Sequence, residues 1–247
     1  MTDLAKQYGE KAAKSFSNQA VMPVREYAES KTFLNTLGDV KGKDVLDLAC
    51  GAGFYSRVIK SAGARRVVGV DASADMINQA KAITPQEMGV EYMVFDASAM
   101  PQLGLFDAVT AGFMLNYARN KEQLAGMCQS VARSLKPGGR FVGTVPNSKY
   151  DASKFERKYG MKVDWPKPMQ DGDEFTFSLY VMEPPLQLRC HYWHNETYAA
   201  ALESAGLSNP RIVTWQVSDE GMTKLGSDFW SEWLANPLFV FITAERK

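Results

Sequence analysis

Short apolar runs alternate with helical patterns between residues 44 and 146. The apolar runs predict strands at residues 44–49, 66–70, 91–95, 106–111 and 139–145. Between them, the spacing of apolar positions predicts helices at 55–61, 75–82 and 121–135. Strands that alternate with helices in this way form a mostly parallel sheet with helices on both faces.

The remainder of the chain departs from this alternation. Residues 147–185 are rich in Lys, Asp, Pro and Gly, which predicts an inserted cover rather than core. After its polar part, the pattern predicts a hairpin with strands at 175–182 and 186–193, a helix at 195–205 and strands at 211–217 and 238–243. Near the start, Leu4, Tyr8, Ala12 and Phe16 recur at a spacing of four, which predicts an amphipathic helix. This helix would form either a lid or an ordinary helix packed on the sheet edge.

Composition narrows the class of protein. Basic and acidic residues both number 28, so no basic field is available to attract nucleic acid or an anionic membrane. The three cysteines have no CxxC spacing, and the charged N-terminal sequence does not resemble a signal peptide. We therefore expect a cytoplasmic protein that associates with neither nucleic acid nor membrane, as a monomer or homodimer.

The segment from Asp44 to Ser73 carries the strongest chemical signal. The small residues Ala49, at the end of the first predicted strand, and Gly51 and Gly53, just after it, would let the backbone approach a ligand closely. Asp71 ends the second strand, where a carboxylate can accept hydrogen bonds from both ribose hydroxyls. Together they indicate a cofactor that contains adenosine.

Two kinds of cofactor fit this arrangement. A dinucleotide would favour a third small residue in the turn, but Phe54, Tyr55 and Ser56 follow Gly53. Asp47, just before the turn, would repel a pyrophosphate and could attract an ammonium or sulfonium group. The charge favours a cationic ligand, and an NAD-dependent oxidoreductase is the weaker alternative.

Five segments resemble, in order, the motifs of class I S-adenosylmethionine-dependent methyltransferases. They are VLDLACGAGFYS, VVGVDAS followed by Met76, VFDASAM, FDAVTAGFMLNYA and LKPGGRF. The narrower resemblance is to bacterial small-molecule methyltransferases related to the toxoflavin N-methyltransferase. It implies a Rossmann-like class I methyltransferase fold with a seven-stranded sheet, and S-adenosylmethionine as cofactor with S-adenosylhomocysteine as product. Ala49 departs from the family, which usually has glycine there.

The resemblance also implies roles for individual residues. Asp47 and Gly51 would lie near the methionine end of the cofactor, within the turn that includes Ala49 and Gly53. The implied adenosine contacts are Asp71 at the ribose, Met76 on one adenine face, and Asp96 with Ala97 at the adenine amino edge. Ala72 is a further implied cofactor contact. In many relatives a tyrosine of the N-terminal segment approaches the cofactor or substrate. Tyr8 is the candidate for the cofactor here, and Arg25 is a candidate for the substrate.

The substrate would lie beyond the fourth strand, because ligands of parallel sheets bind at the carboxyl ends of the strands. The loop there offers Phe113 to the cofactor site, and Asn116 and Tyr117 to the substrate. His191 is the candidate base and Tyr117 a second catalytic candidate. Alternation along residues 186–193 puts His191 on a face with Arg189 and Trp193, opposite the apolar side.

On the neighbouring predicted strand, Thr176, Ser178 and Tyr180 share one face. They could form a polar wall for the substrate, with Tyr180 as the binding candidate. Ordinary solvent exposure of this face explains the same alternation. We expect one domain over residues 1–247: an N-terminal helical lid (1–40), a cofactor-binding core (42–146), a substrate cap (147–193) and a C-terminal part that completes the sheet (194–247).

The expected reaction is methyl transfer to a small molecule. The sequence lacks an [DNS]PP[YFW] motif after the fourth strand and a Pro-Cys pair, so nucleic-acid methylation is disfavoured. The acidic residues of MQDGDEF lack a matching ligand set, and no metal is expected. The resemblance favours a nitrogen of an aromatic heterocycle in secondary metabolism, with oxygen next. A non-catalytic domain that binds S-adenosylmethionine is the alternative of a different class.

Overall fold

A seven-stranded sheet forms the centre of the molecule. The computed structural model describes residues 7–9, 12–13, 22–154, 157–165, 168–180 and 183–247. The strands of the sheet are β1 (Asp44–Leu48), β2 (Arg66–Asp71), β3 (Glu91–Val94), β4 (Phe106–Gly112), β5 (Leu135–Pro146), β9 (Leu207–Val213) and β10 (Phe239–Arg246). Their order is β3-β2-β1-β4-β5-β10-β9, and β10 runs antiparallel to the other six strands. The expected Rossmann-like α/β fold is confirmed.

Helices cover both faces of this sheet. They are α1 (Ser30–Leu37), α2 (Phe54–Ser61), α3 (Ala74–Ile83), α4 (Lys121–Ser134), α5 (Asn195–Ser204) and α6 (Asp219–Ala235). Neighbouring strand residues point to opposite faces: Val45 packs in the cluster that includes Phe33 of α1, whereas Leu46 packs in the cluster that includes Leu124 of α4. The parallel strands are therefore apolar on both sides, as a doubly covered sheet requires.

The strand order fixes where a ligand can bind. Chain order runs outward from β1 towards β3 on one side, and the connection to β4 crosses to the other side. In such sheets the crevice beyond the carboxyl ends of the strands at this switch point is the ligand site. The loops after β1 and β4 meet there.

A second, three-stranded antiparallel sheet follows β5. It consists of β6 (Met161–Asp164), β7 (Glu174–Leu179) and β8 (Leu186–His191), in that order. The predicted hairpin corresponds to β7 and β8, whereas β6 was not predicted because it is only four residues long and lies in a polar segment. Its alternation was a usable signal, since Met161 and Val163 are buried and Lys162 and Asp164 are not.

Three other predictions need correction. The strand predicted at 211–217 lies instead at Leu207–Val213, because pairing with β10 begins directly after the turn at Gly206. Helix α6 was not predicted. Ser218 caps it by accepting from the Gly221 N–H, and Gly226 interrupts it with a φ of 79°. The strand predicted at 139–145 begins earlier, at Leu135, because the LKPGGR segment forms the irregular start of β5.

The predicted N-terminal helix lies only partly within the described residues. Leu4 and Phe16 lie outside the described residues, whereas Tyr8 and Ala12 lie within them. Ala12 and Ala13 pack against Ala52 and Met76, beside the turn that follows β1. Across the part of the chain that the structure describes, no helix is both long and apolar enough to cross a membrane.

Candidate active site

The turn after β1 contains three residues in the left-handed backbone region. Ala49, Gly51 and Gly53 have φ angles of 53°, 54° and 78°. A side chain on Gly51 would meet no heavy atom within 4 Å, so the backbone there is open to a ligand. A side chain on Gly53 would meet the Tyr92 hydroxyl at 2.2 Å, so Gly53 serves packing and does not line the cavity. The open backbone at Gly51 is the cradle that a bound cofactor would fill.

Asp71 connects the end of β2 to this turn. Its Oδ2 accepts the Gly51 N–H at 2.9 Å, and its Oδ1 accepts the Ser73 N–H at 2.8 Å. Burial raises the pKa of the Asp71 carboxyl, while these two N–H groups oppose the rise. Each carboxylate oxygen can accept a second hydrogen bond, so Asp71 can hold the turn and bind a ribose at the same time.

Asp47 lies beneath the turn rather than on the cavity wall. Its carboxylate is fully buried and accepts hydrogen bonds from Ser56 Oγ at 2.6 Å and Thr110 Oγ1 at 2.8 Å. Burial raises the pKa of Asp47 to about 6, and the charge of Asp71 adds to that rise. The two carboxylate oxygens join β1, α2 and β4, and Asp47 does not line the cavity. Its place near the methionine end stays a prediction.

The candidate adenine end of the cavity is built on β2, α3 and the end of β3. Ala72, Met76, Asp96 and Ala97, which are predicted cofactor contacts, all line the cavity. Ser73 caps α3 by accepting the Met76 N–H, which places Met76 on the first turn of the helix. Asp96 Oδ1 accepts both the N–H and the hydroxyl of Ser98, a local turn that holds its carboxylate in place.

The cavity of about 180 Å³ continues from the turn to a wall of aromatic side chains. These are Phe54, Phe113, Phe177, Trp215, Trp233 and Phe239. Phe113 is held in the left-handed region with a φ of 60°, and its ring meets the Phe239 ring edge-on with centroids 4.7 Å apart. Strained backbone of this kind is concentrated at functional sites. We call these six residues the aromatic wall.

One charged pair borders the aromatic wall. Arg25 Nε and Nη2 donate to the two carboxylate oxygens of Glu29, at 3.1 and 3.2 Å. The Arg25 guanidinium lies 4.3 Å from the centre of the Phe54 ring, and the Tyr55 hydroxyl donates to Glu29 Oε1. All four side chains line the cavity. Arg25 was predicted, whereas Glu29 was missed although its spacing of four from Arg25 puts both on one helix face.

The loop after β4 brings Asn116 and Tyr117 to the cavity, as predicted. Asn116 Nδ2 contacts Cys190 Sγ at 3.4 Å, while its buried Oδ1 has no hydrogen-bond partner among the described residues. The Tyr117 hydroxyl is hydrogen-bonded to the Tyr8 hydroxyl, and the Tyr8 carbonyl accepts from Ser73 Oγ at 2.7 Å. Tyr8 thus joins the β4 loop to the start of α3 across the cavity.

Two predicted substrate residues, His191 and Tyr180, do not line the cavity. The small sheet presents the apolar face of β8, with Leu188 and Cys190, to the cavity, so His191 faces away beside Glu174. Burial lowers the pKa of His191. The predicted polar wall is therefore on the side of the sheet away from the cavity.

The predicted position of Trp193 on the face of His191 is also wrong. Trp193 lies beyond the end of β8, where strand alternation no longer applies. It is buried, and its indole N–H donates to the Ala118 carbonyl at 3.1 Å. In the part of the chain that the structure describes, no group of three or more His, Cys, Asp or Glu side chains could hold a metal ion.

Comparison with known proteins agrees with the cofactor side of this site. The family described as "Methyltransferase domain" matches residues 45–139. The demethylmenaquinone methyltransferase of Lactococcus lactis is 36% identical over 114 residues, which cover 44% of each chain. The N-demethylindolmycin N-methyltransferase of Streptomyces griseus is 29% identical over 66% of this chain and 68% of its own. The match to the Lactococcus protein thus spans less than half of that relative.

Solved structures show the same fold. An S-adenosylmethionine-dependent methyltransferase from Mesorhizobium loti superposes with a TM-score of 0.62 at 23% identity, covering 86% of this chain and 94% of that one. The matched domain and the sheet order are those of class I S-adenosylmethionine-dependent methyltransferases. Residues 45–139 therefore match a methyltransferase domain, and the similar proteins include methyltransferases of small molecules.

Proposed function

We propose that this protein transfers the methyl group of S-adenosylmethionine to a ring nitrogen, or next to that an oxygen, of a small aromatic or heterocyclic metabolite. One observation carries the proposal. A single cavity joins the turn after β1, with Asp71 and Met76, to the aromatic wall. A cofactor seated against the turn and a flat acceptor seated against the wall would share one space that shields them from water.

The residues of the turn side suit S-adenosylmethionine. Asp71 would accept the ribose hydroxyls, Met76 would pack on the adenine, and Asp96 would accept from the adenine amino group. The buried Asp47 lies behind the turn, and its negative charge would favour a cationic ligand when ionised. When bound, S-adenosylmethionine supplies an electrophilic methyl carbon attached to a sulfonium sulfur.

The protein side of the reaction is positioning. The acceptor must approach the methyl carbon in line with its lone pair free, and holding reactants in such a geometry accounts for a large part of a rate enhancement. The aromatic wall would set the plane of the ring. Asn116 Oδ1, buried without a partner among the described residues, would accept an N–H of the acceptor. Tyr117 would contact the acceptor on the side nearest Tyr8.

The preference for nitrogen in secondary metabolism is supported by one relative, which is named as an N-methyltransferase of N-demethylindolmycin. The lid role of the N-terminal segment is supported by Tyr8, which bridges the cavity. The expectations of a monomer or homodimer and of a cytoplasmic location stay predictions. His191 gains no support as a base, because it does not line the cavity.

The test is incubation of the purified protein with methyl-labelled S-adenosylmethionine and a panel of heterocyclic amines, indoles and phenols. The expected result is label in an N-methylated product together with S-adenosylhomocysteine. Asn116→Ala should lower turnover of an N–H acceptor about tenfold or more, because a buried hydrogen bond is lost. The control, Asn35→Ala, changes a side chain on the exposed face of α1 and should have no effect. Binding of S-adenosylmethionine without turnover of any acceptor would favour the non-catalytic alternative.

A further inference from the structure

The charged pair at the aromatic wall has an unusual local backbone. Residues Arg25–Glu29 form a single π-helical turn, in which the Ser30 N–H bonds to the Arg25 carbonyl. Turns of this type occur often at functional sites. The turn places Arg25 and Glu29 side by side in the cavity lining, where both are largely buried, with side-chain exposures of 12% and 6%.

Neighbouring side chains hold both members of the pair in place. Arg25 is held by two bonds to Glu29 and by the Phe54 ring beneath it. Glu29 is held further by the Tyr55 hydroxyl. The Tyr55 ring packs so closely on Gly112 that a side chain there would approach it to 2.4 Å. The site is therefore organised before any ligand arrives, which reduces the entropic cost of binding.

Arg25 has donors left over. A guanidinium carries five N–H groups, and two of them are bonded to Glu29. Among the described residues, the other three have no acceptor. No nitrogen of Arg25 is both fully buried and without a hydrogen-bond partner. The unbonded part of the guanidinium therefore reaches the accessible space of the cavity. A hydrogen-bond acceptor of a ligand is the partner that this edge lacks.

The charge of the pair limits the kind of acceptor. Glu29 neutralises Arg25, and the neighbouring wall is aromatic, so the site carries little net charge. An anionic oxygen would be desolvated there beside the Glu29 carboxylate, whereas a neutral carbonyl oxygen loses far less hydration. Arginine donors in such a site form hydrogen bonds stronger than those between neutral groups.

We propose that the Arg25–Glu29 pair is a specificity site that binds a carbonyl oxygen on a neutral aromatic ring. This inference rests on the proposed function, which places the ring at the aromatic wall, and it adds the chemical class of the acceptor. The ring carries a carbonyl oxygen at one edge and the methyl-accepting atom elsewhere. Arg25 selects the oxygen, and Glu29 excludes anionic rings.

Three ring probes test this inference by calorimetry with the protein saturated with S-adenosylhomocysteine. They are 4-quinolone, which has the carbonyl, quinoline, which lacks it, and quinoline-4-carboxylate, which is an anion. The expected order is 4-quinolone bound at least about tenfold more tightly than either of the others. Arg25→Met should weaken 4-quinolone by about 10- to 100-fold and leave quinoline unchanged. Glu29→Gln should shift preference towards the carboxylate by about tenfold or more.

The controls separate folding from recognition. Arg65→Met removes an arginine on the protein surface, whose ion pair is with Asp44, and should leave all three affinities unchanged. If the single variants do not fold, the double variant Arg25→Met with Glu29→Gln removes both charges together and should lose the preference for the carbonyl. Retained affinity for S-adenosylhomocysteine shows that the variants are folded.

Three outcomes would overturn the inference: equal binding of quinoline and 4-quinolone to the wild type, an equal loss of both on Arg25→Met, or no ring bound by a protein that binds S-adenosylhomocysteine. Failure of the proposed function looks different. In that case the protein would bind 4-quinolone more tightly than quinoline but would transfer no labelled methyl group to any acceptor.

Discussion

Asp47 offers a quantitative test of how the cofactor turn is built. Its carboxylate has no exposure to solvent, and burial raises its pKa to about 6 from an ordinary value of 3.8. At about 1.4 kcal/mol per tenfold change in acidity, this difference corresponds to about 3 kcal/mol. Replacement by asparagine keeps the shape and removes the ionisation.

The sign follows from proton binding. Because the pKa of Asp47 is higher in the folded state, the folded protein binds more protons than the unfolded chain between about pH 4 and pH 6. The contribution of Asp47 to the free energy of unfolding is therefore fully present below the pKa of the unfolded chain. It is lost as the pH rises through about 6. Asp47→Asn should unfold at a similar free energy to the wild type near pH 4, and should be more stable by up to about 3 kcal/mol at pH 8.

The assay is urea unfolding followed by tryptophan fluorescence at a series of pH values, since the chain has five tryptophans. The matched control is Asp228→Asn, an exposed aspartate of α6, which should leave the pH profile of the wild type intact. Parallel stability curves for the wild type and Asp47→Asn would refute the reasoning. They would mean that Asp47 has similar proton affinities in the folded and unfolded chains.

Three further substitutions test the site. Ala49→Gly should stabilise the protein by about 0.5–1 kcal/mol in thermal unfolding, because Ala49 has a φ of 53°; a loss of stability would contradict this. Asp71→Ala should weaken S-adenosylmethionine binding by about 1–3 kcal/mol in calorimetry, and unchanged affinity would remove Asp71 from the site. His191→Ala should leave turnover unchanged at all pH values, whereas a slower rate confined to high pH would restore it as a base.

The cofactor side could be predicted from the sequence because its residues are close along the chain. Gly51 and Asp71 are joined by one strand–turn–helix–strand unit, whose geometry is nearly invariant. The φ of Ala49 agrees with its place in the motif, where relatives usually have glycine. Local spacing therefore carried enough information to place both residues at the cavity.

The substrate side could not be predicted in the same way. Its wall collects Phe113, Trp215 and Phe239 from a loop, a segment after β9 and an antiparallel strand. No local pattern connects such distant positions. Alternation did divide β8 into two faces, but it could not tell which face met the cavity. The sequence left two interpretations of the polar face that carries His191, a wall for the substrate and ordinary solvent exposure.

The small antiparallel sheet has a consequence for how this protein could diversify. Met161, Phe177 and Leu188 reach the cavity from residues inserted between β5 and α5, whereas the cofactor turn belongs to the central sheet. Substitutions in this segment can thus reshape the part of the cavity that we propose for the acceptor, while the cofactor turn is inherited unchanged. Duplicated copies of such a gene would be free to acquire new acceptors through changes in this segment. Such changes would have to preserve the hydrogen bond from Asn116 Nδ2 to Cys190 Sγ, which connects the segment to the loop after β4.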